Sequence, residues 1–177
     1  LLVSGSYFSL LGLRPAAGRL LDTNDGRVEG EASAGVLGYA HWQSGFAGNP
    51  AVVGRELVVN GKTLTIVGVA PRAFTSTTVG FKPEVFLPIT FRWRDSPNAF
   101  PQHANRKSYW AYLFARLKPG VSLEQAAAAI NEPYRTITND VDAPLLSGFS
   151  EQMLAEFRAK TLSLEPGGHG QSEVEVY

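Results

Sequence analysis

Gly61-Lys62-Thr63 is the triplet in this sequence that comes nearest to a ligand-binding motif, because a glycine followed by a lysine and a hydroxyl ends the loop that cradles nucleotide phosphates. That loop needs another glycine five residues earlier, and Glu56 stands there. Gly61 also follows Asn60, a pair suited to a tight hairpin turn, whereas a phosphate loop must lead a strand into a helix N-terminus. The triplet therefore reads as a turn. His41, His103 and His169 are widely spaced, with no two histidines four apart on a helix as a zinc site would ask. The acidic pairs Asp22/Asp25, Glu29/Glu31 and Asp140/Asp142 sit in loop-like text, where turn formation and solvation account for them without general acid or base work. No calcium-loop spacing occurs, and no Gly-x-Ser-x-Gly elbow presents a serine nucleophile. With no cysteine in the chain, disulfides, thiolate metal sites and cysteine nucleophiles are all removed. The expectation is a protein with no catalytic residues, no metal and no cofactor.

One segment stands out as a candidate contact surface. Residues 88–108 form a long polar loop that is locally basic and aromatic, with Arg92, Trp93, Arg94 and Arg106 as the candidate partner or substrate contacts beside His103 and Lys107. Loops of that length in compact domains are often functional. Over the whole chain sixteen basic residues balance sixteen acidic ones, which supplies no field to attract nucleic acid.

The elements that position these residues follow from pattern. The 177 residues, 44% hydrophobic and 18% charged, are enough for one ordinary domain or two small subdomains with a real core. The longest uncharged stretch, 34–54, holds five glycines and Pro50, which rules it out as a membrane helix. The sequence opens abruptly and its last residues read as linker, so the chain is expected to be a piece of something longer. A short strand at 1–3 should lead into a helix within 4–13, followed by an exposed loop at 22–33 and a buried strand at 35–39. Trp42 and Phe46, four apart, share one face of a short helix at 41–46. Asn60-Gly61 predicts a two-residue hairpin pairing Val59 with Lys62, Val58 with Thr63 and Leu57 with Leu64, which puts Leu57, Leu64 and Ile66 on the core face. Another strand is expected at 85–87. Residues 109–117 alternate with apolar side chains on both faces, predicting a fully buried strand. Ser122 and Gln125 form a capping box opening a helix whose stripe runs through Leu123, Ala126, Ala127, Ile130, Tyr134 and Ile137. Pro133 is expected to kink or end that helix. A second helix at 149–158 and a strand at 160–164 complete a β-α-β pattern with a helix on one sheet face.

Four segments resemble the periplasmic core domain of MacB-like ABC transporter permeases. They are Val3-Ser4-Gly5-Ser6-Tyr7-Phe8-Ser9-Leu10-Leu11-Gly12 with Pro15 and Gly18-Arg19; residues 35–50 with Trp42 and Phe46; residues 52–71 with Gly54, Asn60-Gly61, Gly68 and Pro71, and Phe74; and Arg116-Leu117-Lys118-Pro119-Gly120-Val121-Ser122. The last is similar to the acidobacterial-type duplicated orphan permease branch. Gly38 and Asn49 stand where the pattern has Ser and Asp. The resemblance implies an α+β fold with a porter-like α/β subdomain, 1–20 and 106–177, into which a β-rich subdomain, 21–105, is inserted. It also implies a non-catalytic, membrane-anchored domain on the periplasmic face of an efflux or transport permease. Its partners would be the transmembrane helices of the same permease, a cytoplasmic ATPase subunit or domain and a periplasmic protein; its role would be to couple helix motion to substrate gating or partner contact. The alternative is a soluble extracytoplasmic module that binds a ligand or a protein.

Overall fold

The Asn60-Gly61 turn sets the register of the sheet. Both residues sit at positive φ, 50° and 77°, as the tight turn requires. Strands β4 (Glu56–Val59) and β5 (Lys62–Val69) then pair Val59 with Lys62, Val58 with Thr63 and Leu57 with Leu64, the register the sequence predicts. Leu64 and Ile66 are buried and Leu57 half-buried, while Val58, one residue out of phase, is exposed.

The structure, a computed structural model, describes residues 1–27, 33–91 and 111–170. It divides into two compact units, Leu1–Phe100 with His169–Tyr177, and Pro101–Gly168. The first unit is built around β5. Strand β3 (Ala34–Leu37) lies parallel along one edge of β5, so β4 and β2 (Ala17–Gly18) share the opposite edge end to end, both antiparallel. Beyond β3 come β6 (Val85–Pro88), antiparallel to it, and β1 (Leu2–Val3), parallel to β6. Because β3 and β5 are parallel neighbours, the chain must cross over between them, and helix α2 (Tyr39–Phe46) lies on that path. Helix α1 is a single turn, Tyr7–Leu10. Segment 1–20 is thereby laddered onto the same sheet as 34–88 through β1 and β2.

Successive strand side chains point to opposite faces, and the core follows that rule. Val36 packs with Phe8, Ala70 and Phe86 in one cluster, and its neighbour Leu37 packs with Trp42, Val52 and Ile66 in another. Both faces of the sheet are therefore covered. Full burial of a side chain such as Phe86 or Ile66 contributes about 1.5–3 kcal/mol.

The second unit is helical where it is regular. Helix α3 (Leu123–Thr136) opens with the expected capping box: Ser122 Oγ accepts from Gln125 N at 3.2 Å, and Ser122 N donates to Gln125 Oε1 at 2.9 Å. Pro133 does not itself end the helix. The helix continues to Thr136, with the N–H of Ile137 donating back to the Pro133 carbonyl, and passes into a π-helical stretch, Ile137–Asp142. A proline removes only its own N–H, so the carbonyl of Pro133 can still accept from the next turn. Helix α4 (Glu151–Arg158) is capped by Ser150, whose Oγ accepts from Met153 N at 3.2 Å.

The two strands expected in this half are not formed. Residues 111–117 of the first run outside any ladder with Tyr112 and Leu113 exposed, while 109 and 110 lie outside the described residues. Residues 160–164 likewise join no ladder. Alternation specifies which faces a strand would present, but a strand exists only when another backbone pairs with it. In place of a neighbouring strand, the Asn131 side chain of α3 clamps Leu162: its Oδ1 accepts from Leu162 N at 2.7 Å and its Nδ2 donates to Leu162 O at 3.0 Å.

Candidate functional site

The aromatic motif residues Tyr7, Phe8, Trp42 and Phe74 pack into the core clusters of the first unit. Tyr7 and Phe8 enter from α1 and meet Phe74 and Phe86, with Phe8 and Phe86 edge to face at 5.2 Å between centroids. Tyr7 is anchored by its hydroxyl, which lies 3.1 Å from Thr77 Oγ1 and accepts from Thr77 N at 3.2 Å. Trp42 donates its indole N–H to Asn49 O at 2.9 Å, and the Asn49 side chain accepts from Ala51 N at 2.9 Å, turning the chain after α2. At Gly68 a Cβ would run into the carbonyl oxygens of Arg19 and Ala17, so only glycine lets β2 lie against β5 here. Each of these positions explains a fold contact, and none brings a nucleophile to a base.

Arg19, also of the first motif segment, makes the shortest ion pair among the described residues. Its guanidinium donates to both carboxylate oxygens of Asp25, Nη1 to Oδ2 at 2.6 Å and Nη2 to Oδ1 at 2.7 Å, and Asp22 lies 3.8 Å away. Asp25 Oδ2 also accepts from Asp22 N at 2.8 Å. Burial by itself would raise the Asp25 carboxyl, but the Arg19 hydrogen bonds, the backbone donor and the charge of Arg19 outweigh it and hold it below the ordinary range. A carboxylate held ionised and bidentate against an arginine is a poor proton donor, so the Asp22/Asp25 pair acts as a loop clasp.

Among the described residues, one cleft lies beside the first turn of α2. It encloses about 390 Å³ and is lined by Tyr39, His41 and Ser44 from the helix, by Arg72 and Phe74, and by Lys82 and Glu84 from the approach to β6. It lacks a reacting pair. Ser44 donates its hydroxyl to Ala40 O at 3.1 Å, the usual habit of a serine inside a helix, and the His41 ring packs edge-on to Phe46 at 5.6 Å. Arg72 and Lys82 are exposed. Among the described residues no three His, Cys, Asp or Glu side chains are grouped to hold a metal ion, and no helix is long and apolar enough to cross a membrane.

The candidate contacts Arg92, Trp93, Arg94 and Arg106 lie outside the described residues, as do His103 and Lys107. The sequence reading did not single out Arg72, Lys82 or Glu84. Each stands next to a proline, at Pro71 or Pro83, and only the tertiary return of those turns to α2 brings them together.

The fold described above resembles that of a solved periplasmic region. The periplasmic region of MacB from Actinobacillus actinomycetemcomitans superposes with a TM-score of 0.50 at 17% identity, covering 76% of this chain and 54% of that one. A domain of a putative permease protein from Porphyromonas gingivalis gives a TM-score of 0.45 at 19% identity, over 79% of this chain and 59% of that one. This chain thus spans little more than half the length of either. No curated protein matches the sequence. The family model for the MacB-like periplasmic core domain matches residues 2–132, a span that includes the whole sheet, α2 and most of α3. On that match, the chain belongs to the family of MacB-like periplasmic core domains.

Proposed function

We propose that this chain is the extracytoplasmic domain of an ABC-type permease and that it acts mechanically, without chemistry of its own, by passing transmembrane helix motion to a substrate gate or a partner protein. The family match over residues 2–132 is the observation that carries this reading. The packing of the motif residues supports it. Tyr7, Phe8, Trp42, Gly68 and Phe74 all serve to make the first unit stiff, and a part that passes on movement must not absorb it. In this reading the flanking transmembrane helices of the same polypeptide and a cytoplasmic ATPase are its partners, and an efflux function belongs to the assembled transporter. In this reading residues 1–20 and 106–177 form the porter-like α/β part and 21–105 the inserted β-rich part. Arg92, Trp93, Arg94 and Arg106 are the proposed contacts for a partner or substrate.

The hydropathy of the full-length gene product tests this first: apolar runs of about 20 residues on both sides of these 177 are expected. A cleavable leader in their place would favour a free soluble binding module. With the spans established, a disulfide designed to lock the extracytoplasmic domain should abolish transport and uncouple it from ATP hydrolysis by the full transporter. Transport unaffected by the lock would end the mechanical reading.

A further inference from the structure

The cleft beside α2 lies wholly within the first unit, and its walls are fixed by contacts of the fold itself. On one side the Gly38 N–H donates to the Glu84 carbonyl at 2.7 Å, and the chain at Pro83 passes so close that a Cβ on Gly38 would strike the Pro83 carbonyl oxygen. The approach to β6 is thereby pinned against the start of α2. On the other side Phe74 stacks on the buried Phe86 at 6.1 Å between centroids, and its N–H donates to the Pro71 carbonyl at 3.1 Å. Tyr39 meets Trp42 edge to face at 5.5 Å. Tyr39 and Phe74 are both half-buried and both line the cleft, so it has an aromatic wall that packing holds still. Its charge is one-sided. Arg72, Lys82 and His41 line it with a single carboxylate, Glu84, and among the described residues Arg72 and Lys82 make no ion pair. The chain as a whole carries sixteen basic and sixteen acidic residues, so this excess belongs to the place and not to the composition.

We infer that this cleft binds a small organic anion with a flat apolar body, an aromatic carboxylate, with its ring against Tyr39 and Phe74 and its charge toward Arg72 and Lys82. The volume of about 390 Å³ falls at the lower end of the range that small-molecule sites occupy, which suits a one- or two-ring acid and excludes a bulky ligand. Each half of the site selects one half of the ligand. A bare inorganic anion would leave the aromatic wall unused, and a neutral aromatic compound would leave the two cations unanswered. An organic cation would be repelled by Arg72 and Lys82 together. The guanidinium of Arg72 can take a carboxylate through two parallel hydrogen bonds, while the Lys82 ammonium adds a point charge on a flexible stem. The inference does not rest on the permease reading, since the site lies in the first unit and would serve a free binding module equally well.

Titration of the isotope-labelled 177-residue chain with naphthoate, followed by the backbone amide resonances, tests this directly. Saturable shifts are expected at Tyr39, His41, Phe74, Thr75 and Glu84, with a Kd on the order of 1 mM, while the amides of α3 and α4 stay in place. Naphthamide, which keeps the shape and lacks the charge, should bind about tenfold more weakly. The double substitution Arg72→Gln with Lys82→Gln should weaken naphthoate by about the same factor and leave naphthamide unaffected. Both side chains are exposed, and an unchanged set of β5 amides verifies that the variant is folded. Equal binding of naphthoate and naphthamide would overturn the inference, as would full affinity in the double variant. Inorganic phosphate shifting the same amides as strongly as naphthoate would make this a plain anion site and overturn the aromatic half. The absence of saturable shifts, or shifts confined to α3 and α4, would end the proposal.

Discussion

In the first unit Val36, Leu37, Val69, Ala70 and Phe86 are fully buried, and the sheet they belong to is covered on both faces. In the second, neither α3 nor α4 buries a single side chain completely, and the buried residues there are Thr138, Ala143 and Leu146, in and just after the π-helical stretch. Both halves obey the same local rules of capping and periodicity. What separates them is whether the strands find neighbours, and this shows that an apolar stripe becomes a core only when another element arrives to cover it. In the first unit stability rests on packing; in the second, caps and side-chain clamps carry a much larger share.

Substitutions can set these two regimes against each other. The largest effect is expected from Phe86→Ala, which empties the site where Phe8, Phe74 and Val36 meet and should destabilise the first unit by about 3–5 kcal/mol in urea unfolding. The corresponding change in the second unit, Leu123→Ala on the half-buried stripe, should fall well below that. Equal losses would dissolve the contrast. Next comes Gly68→Ala, where the new methyl would press on the Arg19 carbonyl and push β2 off β5, costing about 1–3 kcal/mol without altering the second unit's helicity. Ser122→Ala removes the capping box of a helix with little packing behind it. A loss of about 1 kcal/mol should fray α3 visibly in its amide exchange, an outcome a well-packed helix would resist. The smallest effect belongs to Asp25→Asn. The Asp25 carboxyl titrates lower in the folded chain than in the unfolded one, so the clasp's contribution is present above the ordinary value of 3.8 and is lost as pH falls through the lower folded value. Arg19 is half exposed and screened by solvent, so removing the charge should cost no more than about 1 kcal/mol at neutral pH. Acid unfolding curves of the two proteins should converge at low pH.

How much of this was legible in the sequence depends on how far each signal reaches along the chain. The Asn60-Gly61 hairpin was readable to the residue because both the turn and its register are fixed within ten positions. The Ser122–Gln125 cap was readable for the same reason. The helices around Trp42 and Tyr7 were found with shifted ends, since their limits depend on packing. Segment 109–117 has the composition of a strand, but its pairing partner is a fact about distant backbone that no local pattern carries. The β-α-β unit was expected in the second half and is found instead in the first, where β3, α2 and β5 form it. The family was legible because its motif residues are those with irreplaceable geometric duties, Gly68 against β2 among them. The cleft beside α2 was not, because Arg72, Lys82 and Glu84 acquire a common location only after β5 and β6 have been placed.

The way β5 is flanked has a consequence for behaviour in concentrated solution. Its outer side is occupied along its length by β4 and β2, of four and two residues, and the far side of the sheet ends in β1, of two. Among the described residues every outermost strand is four residues or shorter, so the sheet offers a foreign chain only short stretches of free backbone, and this is how a protein keeps a sheet rich in β-formers from templating continuous edge pairing.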